Sequence, residues 1–174
     1  YGIAPLIAIM SQLTKQRTRL PLPKAGPWVH VVHVADVARA IWHVTQRRLC
    51  GPFNVADQAP LRLGEMLSLM AHAAGLSPRK VWFPWTIFRP FIARPQIMRP
   101  MVRLLELMVK EKTLEKADVT KIPVRLDEDW CEFLASDYVF SIERLLSSGF
   151  DFSYPEFHNG LNETVAWYRD ARWI

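Results

Sequence analysis

Glycine is scarce in this 174-residue chain, and the spacing of its seven glycines matters more than their number. The closest pairs, Gly64/Gly75 and Gly149/Gly160, stand eleven apart, so the chain contains no Gly-x-Gly-x-x-Gly or related phosphate-cradling loop. Cysteine is scarcer still. Cys50 and Cys131 have no Cys-x-x-Cys or Cys/His ligand spacing around them, which argues against a zinc module and against a disulfide framework and fits a reducing, cytoplasmic setting. No run reaches the ~18 uncharged apolar residues that cross a bilayer, and the N-terminus lacks the charged lead and cleavage site of a secretory signal. A dominant charge is missing too. Twenty-two basic against 17 acidic residues leave +5, which favours anionic ligands but falls far short of a nucleic-acid-binding balance, so no nucleic-acid partner is expected.

What is present describes a globular chain: half of the residues are hydrophobic in type and 22% are charged. Thirteen prolines and seven tryptophans imply fixed turns and large aromatic contacts, as in an irregular mixture of helix and strand rather than an idealised bundle. The chain opens abruptly at Tyr1-Gly2 without an initiator methionine, as the middle of a longer protein would.

Residues 3–14 read as a short apolar helix leading into a Lys/Arg/Pro-rich loop at 15–27. The β-branched run Val29 to His33 predicts a strand. Asp36 precedes Val37, Ala38, Ala40, Ile41 and Val44, which share one helix face, and is placed to cap that helix by accepting from free backbone N–H groups. Pro52 to Ala56 predicts a second strand, with a turn at Asp57-Gln58-Ala59-Pro60. A helix is expected from Leu63 to Ala74, ended by Gly75, and a strand from Lys80 to Phe83. Residues 81–121 form an insertion, aromatic and proline-rich at first and then amphipathic through Met101, Leu104, Leu105 and Met108. Arg-Pro recurs in it at 89–90, 94–95 and 99–100, which matches no solenoid period and reads as local coincidence or a turn-rich lid. Ser141 is placed to cap a helix ended by Gly149, and a last amphipathic helix is expected from Pro155 to Arg169.

Three strings in this order resemble the C-terminal part of the NAD(P)-dependent epimerase/dehydratase family, the extended short-chain dehydrogenases/reductases. The first is Val32-His33-Val34-Ala35-Asp36-Val37-Ala38-Arg39-Ala40. The second is Gly51-Pro52-Phe53-Asn54-Val55-Ala56, with Pro60 and Glu65 after it. The third runs from Ser136-Asp137 through Leu145 and Gly149-Phe150 to Gly160-Leu161, Glu163-Thr164 and Trp167-Tyr168. Tyr1-Gly2 is similar to the Tyr-Gly after the family's sixth parallel strand. The resemblance covers nearly the whole chain and implies an α/β fold, the helix-rich substrate-binding region of an extended short-chain dehydrogenase with a few short strands, severed from its Rossmann half.

By that resemblance, the absent half would bind NAD or NADP and supply Ser/Tyr/Lys chemistry, and the chain alone would hold no cofactor and have no catalytic residue. The family's Tyr-x-x-x-Lys is not here: the residues four after Tyr1, Tyr138, Tyr154 and Tyr168 are Pro5, Ile142, His158 and Arg172. Tyr1 would lie at the cofactor edge, and Asn54, Trp85 and Phe88 would touch substrate. Nucleotide-sugar members carry an Arg-Asp pair before the strand leading to the His33 position, whereas Val29-His30 stand there now, which removes a cation that would grip a diphosphate. With Val81, Trp82, Phe83, Trp85, Ile87, Phe88, Phe91 and Ile92 in the insertion, the resemblance implies a small apolar substrate such as a sterol-like alcohol or ketone. His33 and Asp36 have a structural reading as strand end and cap, Asp127-Glu128-Asp129 lacks further ligands for a metal, and the Lys/Glu-rich stretch 110–121 reads as a solvated face. Expected partners are the substrate, the Rossmann half, a second copy in the parent, and a membrane surface at the aromatic insertion. The rival readings are a non-catalytic member of the same fold and a peripheral membrane adaptor.

Overall fold

The computed structural model describes residues 6–7, 10, 19–24, 26–77, 79–92, 94, 96–97, 100 and 135–171. Among them the chain is a small mixed α/β fold, helices with a few short strands: β1 (Arg19–Lys24), β2 (Trp28–Val29), α1 (Val34–Gln46), β3 (Leu61–Arg62), α2 (Leu63–Ala73), β4 (Arg79–Pro84), α3 (Trp85–Ile92), α4 (Glu143–Ser147) and α5 (Phe157–Asp170). Tyr1, the amphipathic stretch after Pro100, Cys131 and the acidic triplet at 127–129 lie outside the described residues.

β1 and β4 pair in parallel, with Arg19 opposite Arg79 and Lys24 opposite Pro84. Pro21 and Pro23, in the Lys/Arg/Pro-rich stretch 15–27, predict a loop there instead. Alternate residues aim their N–H groups at the same edge, so two prolines spaced by two strip donors from one edge and leave the other free to pair. β2 and β3 form a two-residue antiparallel pair, Trp28 with Arg62 and Val29 with Leu61. The expected strand Val29–His33 therefore ends at Val29; beyond it the Val31 carbonyl accepts from the Asp57 N–H at 2.7 Å, a single bond outside any ladder. Pro52–Ala56 is no strand: Asn54 donates to the Ser141 carbonyl at 3.0 Å and Phe53 lies 4.7 Å under the Arg144 guanidinium, so side chains hold this segment.

Two buried clusters make the interior. In the larger, Met66, Met70 and Ala71 of α2 meet Leu22 of β1 and Leu161, Val165 and Tyr168 of α5. In the smaller, Ala40 of α1 meets Leu145, Phe150 and Phe152. α2 lies close on β1: a Cβ on Gly64 would stand 2.5 Å from the Pro23 carbonyl oxygen. Helix ends follow local chemistry, with Gly75 and Gly149 at positive φ after α2 and α4. α5 opens with the Glu156 N–H donating to Asn159 Oδ1 at 2.9 Å.

Candidate functional site

The apolar segment of the insertion forms β4 and α3. A short helix that packs on a domain normally turns its apolar side inward. α3 does so with Trp85, which is buried, yet Ile87, Phe88 and Phe91 lie on its outer side and are exposed, as is Trp82 of β4. Phe83 joins the two sides: its ring stands 5.1 Å from Phe88, edge to face, and 6.3 Å from Trp85. Arg89 donates from Nε to the Ala135 carbonyl at 3.0 Å, tying α3 to the chain beyond the insertion. Of the expected substrate residues, Trp85 and Phe88 thus belong to one aromatic cluster, Trp85 inside and Phe88 at its surface. Asn54 lies in a different segment with its amide already engaged by Ser141.

A second constellation gathers polar groups where α1, the turn after Ala56 and the segment before α5 converge. Asp36 is fully buried in the first turn of α1. It is not the cap: His33 takes that place in an extended conformation, its Nδ1 accepting from the Ala35 N–H at 3.4 Å. Asp36 instead accepts from the Ser153 and Tyr154 N–H groups at 3.0 and 2.8 Å and from Arg39 at 2.7 Å. Burial alone would raise its pKa, but these three donors together hold it below the usual carboxylate value. Asp57 behaves oppositely. It is 2% exposed, burial first and the Asp36 charge second push its pKa up to about 7, and the His33 backbone N–H only partly offsets them. Asp57 Oδ1 has no hydrogen-bond partner among the described residues.

Aromatic and histidine groups close this junction. The His33 ring lies 3.9 Å from that of Tyr154, whose hydroxyl donates to Glu163 at 2.5 Å. His30 accepts at Nδ1 from the Phe140 N–H at 3.1 Å, which leaves Nε2 as the protonated nitrogen, donating to the Asp57 carbonyl at 2.6 Å. Both nitrogens of His30 are therefore spent on backbone. Position 30 offers neither a cation nor a free donor to an anionic ligand. Chemically the junction holds three chain segments together and presents no nucleophile beside a base. His33 and Asp36 stand out in the sequence, whereas Asp57 reads there only as a turn residue and His30 only as the place of a missing cation, because the partners of both are remote in the chain.

A third feature is an open groove of about 490 Å³ between α1 and the segment after α4, lined by Trp42, His43, Gln46 and Phe150 among others. Two of its polar side chains are engaged within the chain, Arg39 with Asp36 and Ser153 and His43 with the Ser148 hydroxyl at 3.0 Å. Among the described residues, no three His, Cys, Asp or Glu side chains are placed to share a metal ion, and no helix is long and apolar enough to cross a membrane. Cys50 is exposed as a free thiol.

Compared with protein-family models, curated proteins and solved structures, the chain matches none. The resemblance to the epimerase/dehydratase family therefore stands on the three residue strings themselves.

Proposed function

We propose that the chain is the substrate-binding part of an NAD(P)-dependent extended short-chain dehydrogenase/reductase that acts on an apolar alcohol or ketone. The observation that carries this reading is the Phe83–Trp85–Phe88 cluster at the start of α3, in a chain whose position 30 has no charge to spare for a diphosphate. Such a cluster can enclose an apolar body and exclude water from one side of it. The parallel β1–β4 pair and the exposed outer side of α1 (Val34, Ile41, Trp42) are compatible with a chain that packs against further α/β structure.

A dinucleotide does not fit this chain's own residues. Its glycines are too far apart for a phosphate loop, and the first turn of α1 carries the buried Asp36 where an anion would need free N–H groups. Hydride transfer, which the cofactor supplies in such enzymes, therefore falls to a Rossmann half. The chain's part is to bind and orient.

The test is steady-state kinetics of the protein carrying both halves. Phe88→Ala should raise KM for an apolar substrate about tenfold or more, with kcat little changed, because a wall contact acts on ground and transition states alike. Trp85→Ala should do the same with an added loss of thermal stability, since Trp85 is buried in the chain itself. Efficient turnover of a UDP- or GDP-sugar, with both variants altered in stability alone, would overturn the reading.

A further inference from the structure

We infer that the outer face of β4 and α3 docks onto an anionic lipid surface. Two independent observations meet there. The first is geometric: Trp82 of β4 and Ile87, Phe88 and Phe91 of α3 are between 45% and 60% exposed, and Ile87 and Phe91 lie on the side of the helix away from the buried Trp85. Ile87 and Phe91, one turn apart, form the crest, and the strip continues past the helix through turns in which Arg94 N–H donates to the Phe91 carbonyl and Ile97 N–H to the Arg94 carbonyl. Ile97 is exposed as well, and so is Arg94 between the two apolar positions.

The second observation is the charge. From Met66 to Leu105 the chain carries no aspartate or glutamate, while Arg79, Lys80, Arg89, Arg94, Arg99 and Arg103 fall within the same forty residues. Elsewhere it mixes the signs: all 17 of its carboxylate residues lie outside that tract. The strand register adds an exposed lysine at the near end of the strip, since Lys24 pairs with Pro84, the residue before α3. An exposed apolar strip with Lys24 and Arg94 exposed along it, in a stretch of sequence that carries no carboxylate, has the chemistry of interfacial binding: large side chains enter the boundary between headgroups and acyl chains while cations meet lipid phosphates. A protein partner would more naturally be met by a mixed-charge rim. The inference is separable from the enzymatic reading, because its test substitutes Ile87, Phe91 and Arg94, whereas that reading rests on the Phe83–Trp85–Phe88 cluster, and Phe88 alone is shared between the two.

The experiment is vesicle co-sedimentation of the full chain, with phosphatidylcholine alone and with phosphatidylcholine plus phosphatidylglycerol, at low and high salt. Binding is expected to the anionic vesicles, weakened by salt and much weaker on the neutral ones. The Ile87→Ser/Phe91→Ser double variant should lose at least tenfold in partitioning, and Arg94→Gln about fivefold. Far-ultraviolet circular dichroism of each variant establishes that it is folded. Tryptophan quenching by bromine-labelled lipid supplies a second reading that should fall in Trp82→Phe, which keeps the apolar bulk. The inference is overturned if the chain stays in the supernatant with anionic vesicles, if folded variants bind as the parent does, or if binding is the same on neutral vesicles and insensitive to salt. KM measurements on Phe88→Ala are unaffected by any of these outcomes, so failure of one proposal is told apart from failure of the other.

Discussion

At the scale of single residues, Asp57 is the group whose chemistry is most out of balance. Its carboxyl is buried, one oxygen is unpartnered among the described residues, and its pKa stands at about 7 against an ordinary 3.8. Between those two values the folded protein holds a proton that the unfolded chain releases, so this group's contribution to stability is full below about pH 4 and is lost as pH rises through about 7. Stability should therefore fall by about 2 kcal/mol from pH 5 to pH 8 on this group's account. Asp57→Asn should flatten that slope and raise the melting temperature at pH 8, as measured by calorimetry at the two pH values. An unchanged slope in the variant would show that another group titrates. Asp36 acts in the other direction and in another window: its lowered pKa gives a contribution present above its unfolded value and lost only under more acidic conditions. None of this could be read from the residues alone. Asp36 looked like a cap because an acid before an apolar helical face has that local meaning. Its true donors, Ser153 and Tyr154, lie more than a hundred residues away, and His33 had already taken the cap.

At the scale of elements, helix ends divide into those the sequence announces and those it hides. α2 and α4 end on Gly75 and Gly149, both at positive φ, where glycine has no side-chain clash and its role was legible. α1 closes by the same arrangement without a glycine. Arg48 takes φ 51, its N–H bonds the Thr45 carbonyl at 3.1 Å, and the Leu49 N–H bonds the Val44 carbonyl at 3.0 Å. An arginine there bears a steric cost that glycine avoids, so Arg48→Gly should stabilise the chain by roughly 0.5–1 kcal/mol, read as a higher denaturant midpoint at constant slope. Gly64 is the converse case. It sits in the first turn of α2, where alanine would ordinarily be preferred, but an added Cβ would meet backbone, the Pro23 carbonyl at 2.5 Å. Gly64→Ala should therefore cost about 1–3 kcal/mol by levering α2 away from β1, and a stability gain would show that the two elements have room to part. Nothing in the string Leu63-Gly64-Glu65 discloses that neighbour. The pairing of β1 with β4 was equally hidden, since prolines spaced by two look like a loop until one edge of the strand is known to be free.

At the scale of the whole molecule, the positions of α1, α2, α4 and α5 were legible, while α3, which carries Pro90 inside it, the strand pairing and the packing of remote segments were not, because they are decided by residues far apart in the chain. The same division bears on what the outer surface can do. α1 buries Asp36 and Ala40 on its inner side, yet Val34, Ile41 and Trp42 stand 75%, 63% and 63% exposed on the other. A solvated helix face would carry charged residues there, so this apolar patch implies contact with something that α1 does not meet within the described residues. The chain by itself should therefore bind an environment-sensitive hydrophobic dye. An Ile41→Ser/Trp42→Gln variant should lose much of the emission while keeping its stability within about 1 kcal/mol of the parent's, because neither side chain contributes to the buried clusters. The β4–α3 crest is the internal control, since Ile87→Ser/Phe91→Ser removes the other exposed strip. If the α1 variant leaves dye emission unchanged and the crest variant abolishes it, α1 is not an interface. If adding a separately expressed dinucleotide-binding half quenches the emission that depends on Trp42 but not the emission that depends on Phe91, then α1 faces that half and the crest is left free for a bilayer.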